Sequence, residues 1–444
     1  MSFAIFLLYV VLVFLRPIEL LAPELTDYRP MLWLWLLAFG SALVRSVMKR
    51  QFSAHPVFLW LLGGFTLALA VSMVANGWAG GAIDAVSQFS ASALLFVLVC
   101  MNVTTVRRLQ ATCGAVVVVL VLAAGTTIWS YHTGERAEDL VLRQNSYIDD
   151  RGDRMPPGDT VVPAEDTSGF YIWRVRWLGF LNDPNDFAQA MVMALPLLWA
   201  LYRPRRLLRN AVLIGLPSAT MLYSMMLTQS RGAIMGVGGV FAVLLHKRFG
   251  SLKSGIALGL MGAAAIAASM GSERALSTKE SSAGDRIEAW STGLMMLKSW
   301  PLFGVGYGNF QEHHHLTAHN SFVLCFSELG LFGYFMWMGL LVVAYKGMAL
   351  ATRHAPPGSA EYRMSELLRM SFVGFLTCAW FLSRTYQPTL YFLLALCASA
   401  WYCATRLAPE HAAPGSLQGE HWVRATFKVM VLSVTAVLGF VRLG

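Results

Sequence analysis

Residues 284–322 read G-D-R-I-E-A-W-S-T-G-L-M-M-L-K-S-W-P-L-F-G-V-G-Y-G-N-F-Q-E-H-H-H-L-T-A-H-N-S-F, and an apolar segment continues from there through Gly333. The stretch holds Arg286, a tryptophan-bearing helical pattern, a glycine-rich turn, and His319 at the lip of the next apolar run. Ile287, Trp290, Leu294 and Leu297 recur at helical spacing and give the pattern one apolar face. Asp285 with Glu288 reads as a capping box, Pro301 closes the helix, and Trp290 favours a position flat on a membrane interface. A polar loop bracketed by long apolar runs belongs to a chain that crosses a membrane repeatedly.

Composition agrees. Of 444 residues 56% are hydrophobic and 13% charged, against about 25% charged in soluble domains. Apolar runs of about 17–25 residues recur from end to end, as membrane-crossing helices require, and the short alternating segments of a β-barrel are not seen. The net charge of +9 sits mostly in short loops, where it sets orientation and gives no sign of nucleic-acid binding. Cys100, Cys113, Cys325, Cys378, Cys397 and Cys403 all fall in apolar segments, which predicts small core residues and no disulfide framework. Met1–Leu21 lacks the basic start and cleavage site of a signal peptide.

The expected fold class is all-α: a single integral membrane domain, 1–444, with about twelve transmembrane helices. Their cores are read at Phe3–Leu21, Met31–Arg45, Pro56–Ala75, Val86–Asn102, Ala111–Tyr131, Phe187–Tyr202, Asn210–Gln229, Gly232–His246, Ser254–Met270, Ser321–Tyr345, Leu368–Ser383 and Pro388–Thr405. Val429–Val441 is short for a span. Lys49-Arg50, Arg107-Arg108, Arg203–Arg209, Lys247-Arg248 and Lys346 with Arg353 and Arg363 fall on one side, which predicts cytoplasmic termini. Two long loops, 132–186 and 271–320, then face the opposite, periplasmic side, with the turn Ser230-Arg231-Gly232.

Four constellations on that side can carry chemistry. Arg174 and Arg176 are two apart and point the same way on an extended segment; paired guanidinium donors suit phosphate oxygens, although loop ion pairs would use them equally well. The turn Asn182-Asp-Pro-Asn-Asp186 starts a helix that Asn185 or Asp186 can cap. Arg231 lies between two apolar runs and must reach the interface or an anion, with Gly232 permitting a tight turn. His319 directly precedes a span, where a neutral imidazole can take a hydroxyl proton. Glu328 lies deeper in that span and should face the bundle interior or a wet cavity. His315 and His319 are four apart, but no HExxH pattern or third ligand accompanies them, so no metal is expected. Gly304-Val-Gly-Tyr-Gly308 lacks the Lys-Ser/Thr of a nucleotide-binding loop.

The order N-D-P-N-D-F-A, Q-S-R-G, D-R-x-x-x-W with P-L-F-G-V-G-Y-G, and H-N-S-F with E-L-G-L-F-G resembles the O-antigen ligase and polymerase superfamily of bacterial membrane proteins, over roughly Arg174 to Gly333. The resemblance implies a lipid-dependent glycosyltransferase of the inner membrane. It implies an undecaprenyl diphosphate-linked glycan as donor, used at the periplasmic face without metal or other cofactor. Arg231, Arg286 and His319 carry over as catalytic residues; Arg176 carries over with Arg174 as its competitor, and Asp183 interrupts the family's N-P-N turn. Arg174, Arg176, Asn185, Asn320 and Glu328 make up the expected substrate-binding set.

The reaction so implied is an inverting displacement at the anomeric carbon, with arginines on the departing diphosphate and His319 as general base. The acceptor can be lipid A-core, a second lipid-linked glycan, or a protein hydroxyl. Partners are then the donor, the acceptor, membrane lipids and other polysaccharide-assembly proteins. A transporter is the alternative of another class. It would place functional charges near the bilayer midplane and show inverted repeats; here the arginines and His319 gather at one face.

Overall fold

The computed structural model describes residues 2–145, 162–166, 171–246, 249–250, 281–407 and 421–443. The expected span Ser254–Met270 lies outside the described residues, as do parts of both long loops. The chain is an all-α polytopic membrane protein. Eight helices among the described residues are long and apolar enough to cross a membrane. They are α2 (Pro30–Lys49), α3 (Pro56–Ala75), α4 (Ala79–Asn102), α5 (Val106–Thr133), α7 (Leu207–Leu227), α10 (Ser321–His354), α12 (Pro388–Thr405) and α13 (Trp422–Leu443). Shorter or more polar helices accompany them: α1 (Ser2–Leu15), α6 (Pro184–Ala194), α8 (Arg231–His246), α9 (Ser281–Ser299) and α11 (Ala360–Ala379).

Two expected spans and the last apolar stretch differ in the structure. The first breaks at Arg16, whose left-handed φ of 53° precedes Pro17. The sixth is α-helical only to Ala194 and then tightens to a 3₁₀ helix over Leu195–Leu201, where Pro196 has no N–H to give to an α-helical bond. The last apolar stretch is not short. It begins at Trp422, because Arg424 and Lys428 interrupt the apolar pattern without interrupting the helix.

The chain divides into two compact units, Met1–Arg50 with Arg107–Gly236, and Gln51–Val106 with Val237–Gly444. In the first, Thr127 Oγ1 and Ser224 Oγ lie 3.0 Å apart between α5 and α7, and His132 Nε2 lies 2.7 Å from the Tyr223 hydroxyl. The buried Thr127–Ser224 pair satisfies hydroxyls where no water is available to do so. The first long loop contains an antiparallel hairpin, β1 (Val141–Asn145) on β2 (Tyr171–Val175), with Leu142 opposite Arg174. Trp177, buried just past β2, donates its indole N–H to the Phe14 carbonyl at 2.9 Å.

In the second unit α10 packs against α3, α9, α11, α12 and α13, and α12 is buried continuously from Thr389 through Trp401. All six cysteines are buried free thiols, as their apolar settings predict. α10 is interrupted at Gly330, with φ 61° and ψ −166°, a conformation that only glycine adopts readily. The segment Pro301–Gly306 fills the gap. Val305 and Gly306 donate their N–H groups to the Ser327 and Glu328 carbonyls at 3.0 Å each, and Leu331 and Phe332 donate to the Pro301 and Leu302 carbonyls at 2.8 and 3.2 Å. The backbone groups freed by the broken helix are thereby satisfied within protein, the condition for irregular backbone at membrane depth.

Candidate active site

In the first unit β2 and α6 bring Arg174 to the Q-S-R-G turn. Its Nε donates to the Thr228 carbonyl at 2.9 Å and its Nη2 to Asn185 Oδ1 at 3.0 Å. Burial lowers the pKa of this guanidinium and the Asp183 carboxylate opposes the shift. Arg176 does not share its direction. The strand ends at Val175, and Arg176 Nε donates to the Asp139 carbonyl at 3.1 Å, on the hairpin side. The capping residue of α6 is Asp183, which accepts the Asn185 N–H at 2.7 Å, and neither Asn185 nor Asp186. Pro184 occupies the first helical position, where its missing N–H costs nothing. The residue that interrupts the family's turn is thus its cap, which leaves the Asn185 amide to orient Arg174.

The turn before α8 takes its positive φ at Gln229 (52°), and Gly232 is helical. Gln229 is held there by its Nε2, which donates to the Trp173 carbonyl at 3.2 Å. Arg231 is exposed at the first position of α8. Beside it, the Ser230 hydroxyl is buried without a hydrogen-bond partner among the described residues.

In the second unit the helix carrying Arg286 starts at or before Ser281, so Asp285 is not its cap. The helix also does not stand alone on a surface. Gly293 lies against Val323 and Ser327 of α10, and a side chain at that position would overlap them. Trp290 donates its indole N–H to the Ala318 carbonyl at 3.0 Å and meets Trp380 and Phe440 edge-on. This clamps the backbone just before His319. Arg286, one turn earlier on α9, is half-buried.

His319 is half-buried and adopts a left-handed φ of 48° immediately before the cap of α10. Such a conformation costs a non-glycine residue about 1–3 kcal/mol and is held only when its surroundings impose it. Asn320 imposes it from one side, with Oδ1 accepting the Phe322 and Val323 N–H groups at 2.9 and 3.2 Å. The Asn320 amide nitrogen is buried and has no partner among the described residues. The loop between α11 and α12 fixes the next residue: the Arg384 N–H donates to Ser321 Oγ at 2.8 Å, and Thr385 Oγ1 donates to the Ser321 carbonyl at 2.8 Å.

Glu328 is 2% exposed and faces the bundle interior, as expected. Its carboxylate accepts the Tyr386 hydroxyl at 2.7 Å and the Phe310 N–H at 3.3 Å. These bonds tie the glycine-rich turn and the α11–α12 loop to α10. Nothing in the short segment Ser383-Arg384-Thr385-Tyr386-Gln387-Pro388 signals that Tyr386 reaches a buried acid. Among the described residues no group of three or more His, Cys, Asp or Glu side chains is placed to hold a metal ion.

No curated protein matches the chain. Residues 216–338 match the family model described as O-Antigen ligase, a segment that includes Arg231, Arg286, His319, Asn320 and Glu328. The matched segment is about a quarter of the chain and is similar to the O-antigen ligase family, and the all-α polytopic architecture agrees with that likeness.

Proposed function

We propose that the protein is a glycosyltransferase that moves a glycan from a polyprenyl diphosphate, undecaprenyl diphosphate in bacteria, to an acceptor hydroxyl at the periplasmic face of the inner membrane. The observation that carries this reading is the family match over Arg231, Arg286 and His319, with His319 held in a strained, half-buried conformation at the start of α10. Strain of this kind concentrates at functional sites.

The chemistry is assigned to side chains as follows. The acceptor oxygen attacks the anomeric carbon and passes its proton to His319. The bond from that carbon to the diphosphate oxygen breaks, and its electron pair leaves with the diphosphate. Arg231, Arg286 and Arg174 neutralise the growing charge. Arg174 is preferred to Arg176 because Asn185 and Thr228 orient its guanidinium beside the Q-S-R-G turn. A diphosphate is a good leaving group, so the step needs no acid and the single displacement inverts the anomeric centre.

The test is reconstitution. Purified protein in lipid nanodiscs, given an undecaprenyl diphosphate-linked glycan and an acceptor, should release undecaprenyl diphosphate in step with glycosylated acceptor, in the presence of excess chelator. Release without transfer, or transfer only with added divalent ion, would count against the reading.

A further inference from the structure

Beside the Glu328–Tyr386 hydrogen bond the second unit presents an uncharged aromatic and amide cluster. Tyr307 and Tyr386 meet edge to face with centroids 4.7 Å apart. The Tyr307 hydroxyl donates to Gln88 Oε1 at 3.4 Å. Both tyrosines are half-buried, Gln88 is exposed, and Phe65 stacks on Tyr386 with centroids 6.0 Å apart. Each ring is fixed from behind. The Tyr307 N–H donates to Ser72 Oγ at 3.2 Å, Ser92 Oγ donates to the Tyr386 carbonyl at 2.7 Å, and the Tyr386 hydroxyl is held by Glu328 at 2.7 Å. Three separate stretches, the α3–α4 corner, the glycine-rich turn and the α11–α12 loop, thus converge on one patch.

We infer that Gln88, Tyr307 and Tyr386 form a saccharide subsite for the acceptor glycan, distinct from the arginines assigned to the diphosphate. The inference rests on the proposed transferase reading for its choice of acceptor. Ring faces attract the polarised C–H bonds of a pyranose, and a fixed amide can both donate to and accept from its hydroxyls. Gln88, Tyr307 and Tyr386 carry no positive charge themselves, and Asp84, exposed one turn before Gln88, repels anionic groups. A neutral sugar suits these chemistries and a phosphate does not. The α11–α12 loop that carries Tyr386 is also the loop bonded to Ser321, two residues past His319. A sugar bound here is therefore on the side of the residue assigned to deprotonate an acceptor.

The experiment uses full-length protein in nanodiscs and three probes: a panel of free neutral and acidic oligosaccharides followed by saturation-transfer NMR, bare undecaprenyl diphosphate, and the same lipid carrying a glycan. Wild-type protein should give saturation transfer to neutral oligosaccharides. Gln88→Ala and Tyr307→Ala should each weaken it about tenfold, with the affinity for bare undecaprenyl diphosphate unchanged. Gln88 is exposed, so its replacement leaves the fold intact. Unchanged oligosaccharide signals in both variants, or a parallel loss of bare-lipid binding, would overturn the subsite. Weakened binding of the glycan-bearing lipid, with free oligosaccharides unaffected, would give the sugar to the donor and overturn the acceptor assignment. Failure of wild-type protein to bind undecaprenyl diphosphate would strike the transferase reading itself, while the oligosaccharide arm still decides the subsite.

Discussion

Gly304 sits so close to Glu328 that a Cβ on the glycine would overlap the glutamate's carbonyl group. The relation is reciprocated two residues on, where a Cβ on Gly330 would overlap the carbonyl of Leu302. Both glycines have positive φ, 69° and 61°. The P-L-F-G-V-G turn and the E-L-G-L-F-G helix break are therefore one structural device. Its effect is to hold the Glu328 carboxylate where Tyr386 and the Phe310 N–H can reach it.

Gly304→Ala and Gly330→Ala should both be markedly destabilising. Each forces a side chain into a left-handed backbone, at about 1–3 kcal/mol, and adds steric overlap with a carbonyl that cannot move without losing the pairing around it. Gly308 also has positive φ (78°) but open space around it, so Gly308→Ala should carry the backbone cost alone. Thermal unfolding in detergent or nanodiscs checks the order; equal melting temperatures for the three variants would mean the two segments are not packed together.

Tyr386→Phe removes the hydroxyl that serves the buried Glu328 carboxylate. The expected cost is about 1–3 kcal/mol of stability. Glu328→Ala should cost less in the Tyr386→Phe background than in wild type, since the shared bond is already gone. Additive losses in that double-mutant cycle would show that the two side chains do not interact.

Much of the fold is legible because a bilayer leaves the backbone few options, so long apolar runs must be helices. The helix ends are less legible. Asp183, Asn185 and Asp186 are all competent caps, and only the folded chain shows that Asp183 is used. The break at Gly330 is hidden because L-G-L-F-G reads as uninterrupted apolar helix, and its partner segment is distant in sequence. Arg231, Arg286 and His319 stand out because charge is costly beside apolar runs, whereas Tyr386 gains its meaning from a contact with Glu328 across the sequence. The separate directions of Arg174 and Arg176 follow from where the strand stops, which two-residue periodicity does not reveal.

Arg174 and Arg176 should behave differently on replacement. Arg174→Ala, like Arg231→Ala and Arg286→Ala, should reduce donor binding and transfer by about 2–4 kcal/mol in transition-state terms, the usual worth of one such donor. Lysine should restore only part of the loss at each, because it lacks the paired geometry. Arg176→Ala should stay close to wild type. Measured kcat/KM values decide the matter, and a larger loss at Arg176 than at Arg174 would reverse the assignment.

Sidedness can be read with single cysteines, since the native thiols are all buried. Cysteine at Glu138 or Glu312, both exposed, should react with an impermeant maleimide in intact spheroplasts, and cysteine at the exposed Arg205 should not. Reaction at Arg205 with protection at Glu312 would invert the topology and put the His319 lip in the cytoplasm.

The most direct test separates binding from chemistry at His319. Donor affinity and the single-turnover rate of transfer are measured on the same nanodisc preparation of wild-type protein and His319→Ala. With His319 as the general base, donor affinity holds while the transfer rate falls by about 10²–10⁴-fold. The contrary result is a His319→Ala protein that loses donor binding but transfers at the wild-type rate once donor is bound. His319 would then be a donor contact, and the base would lie elsewhere.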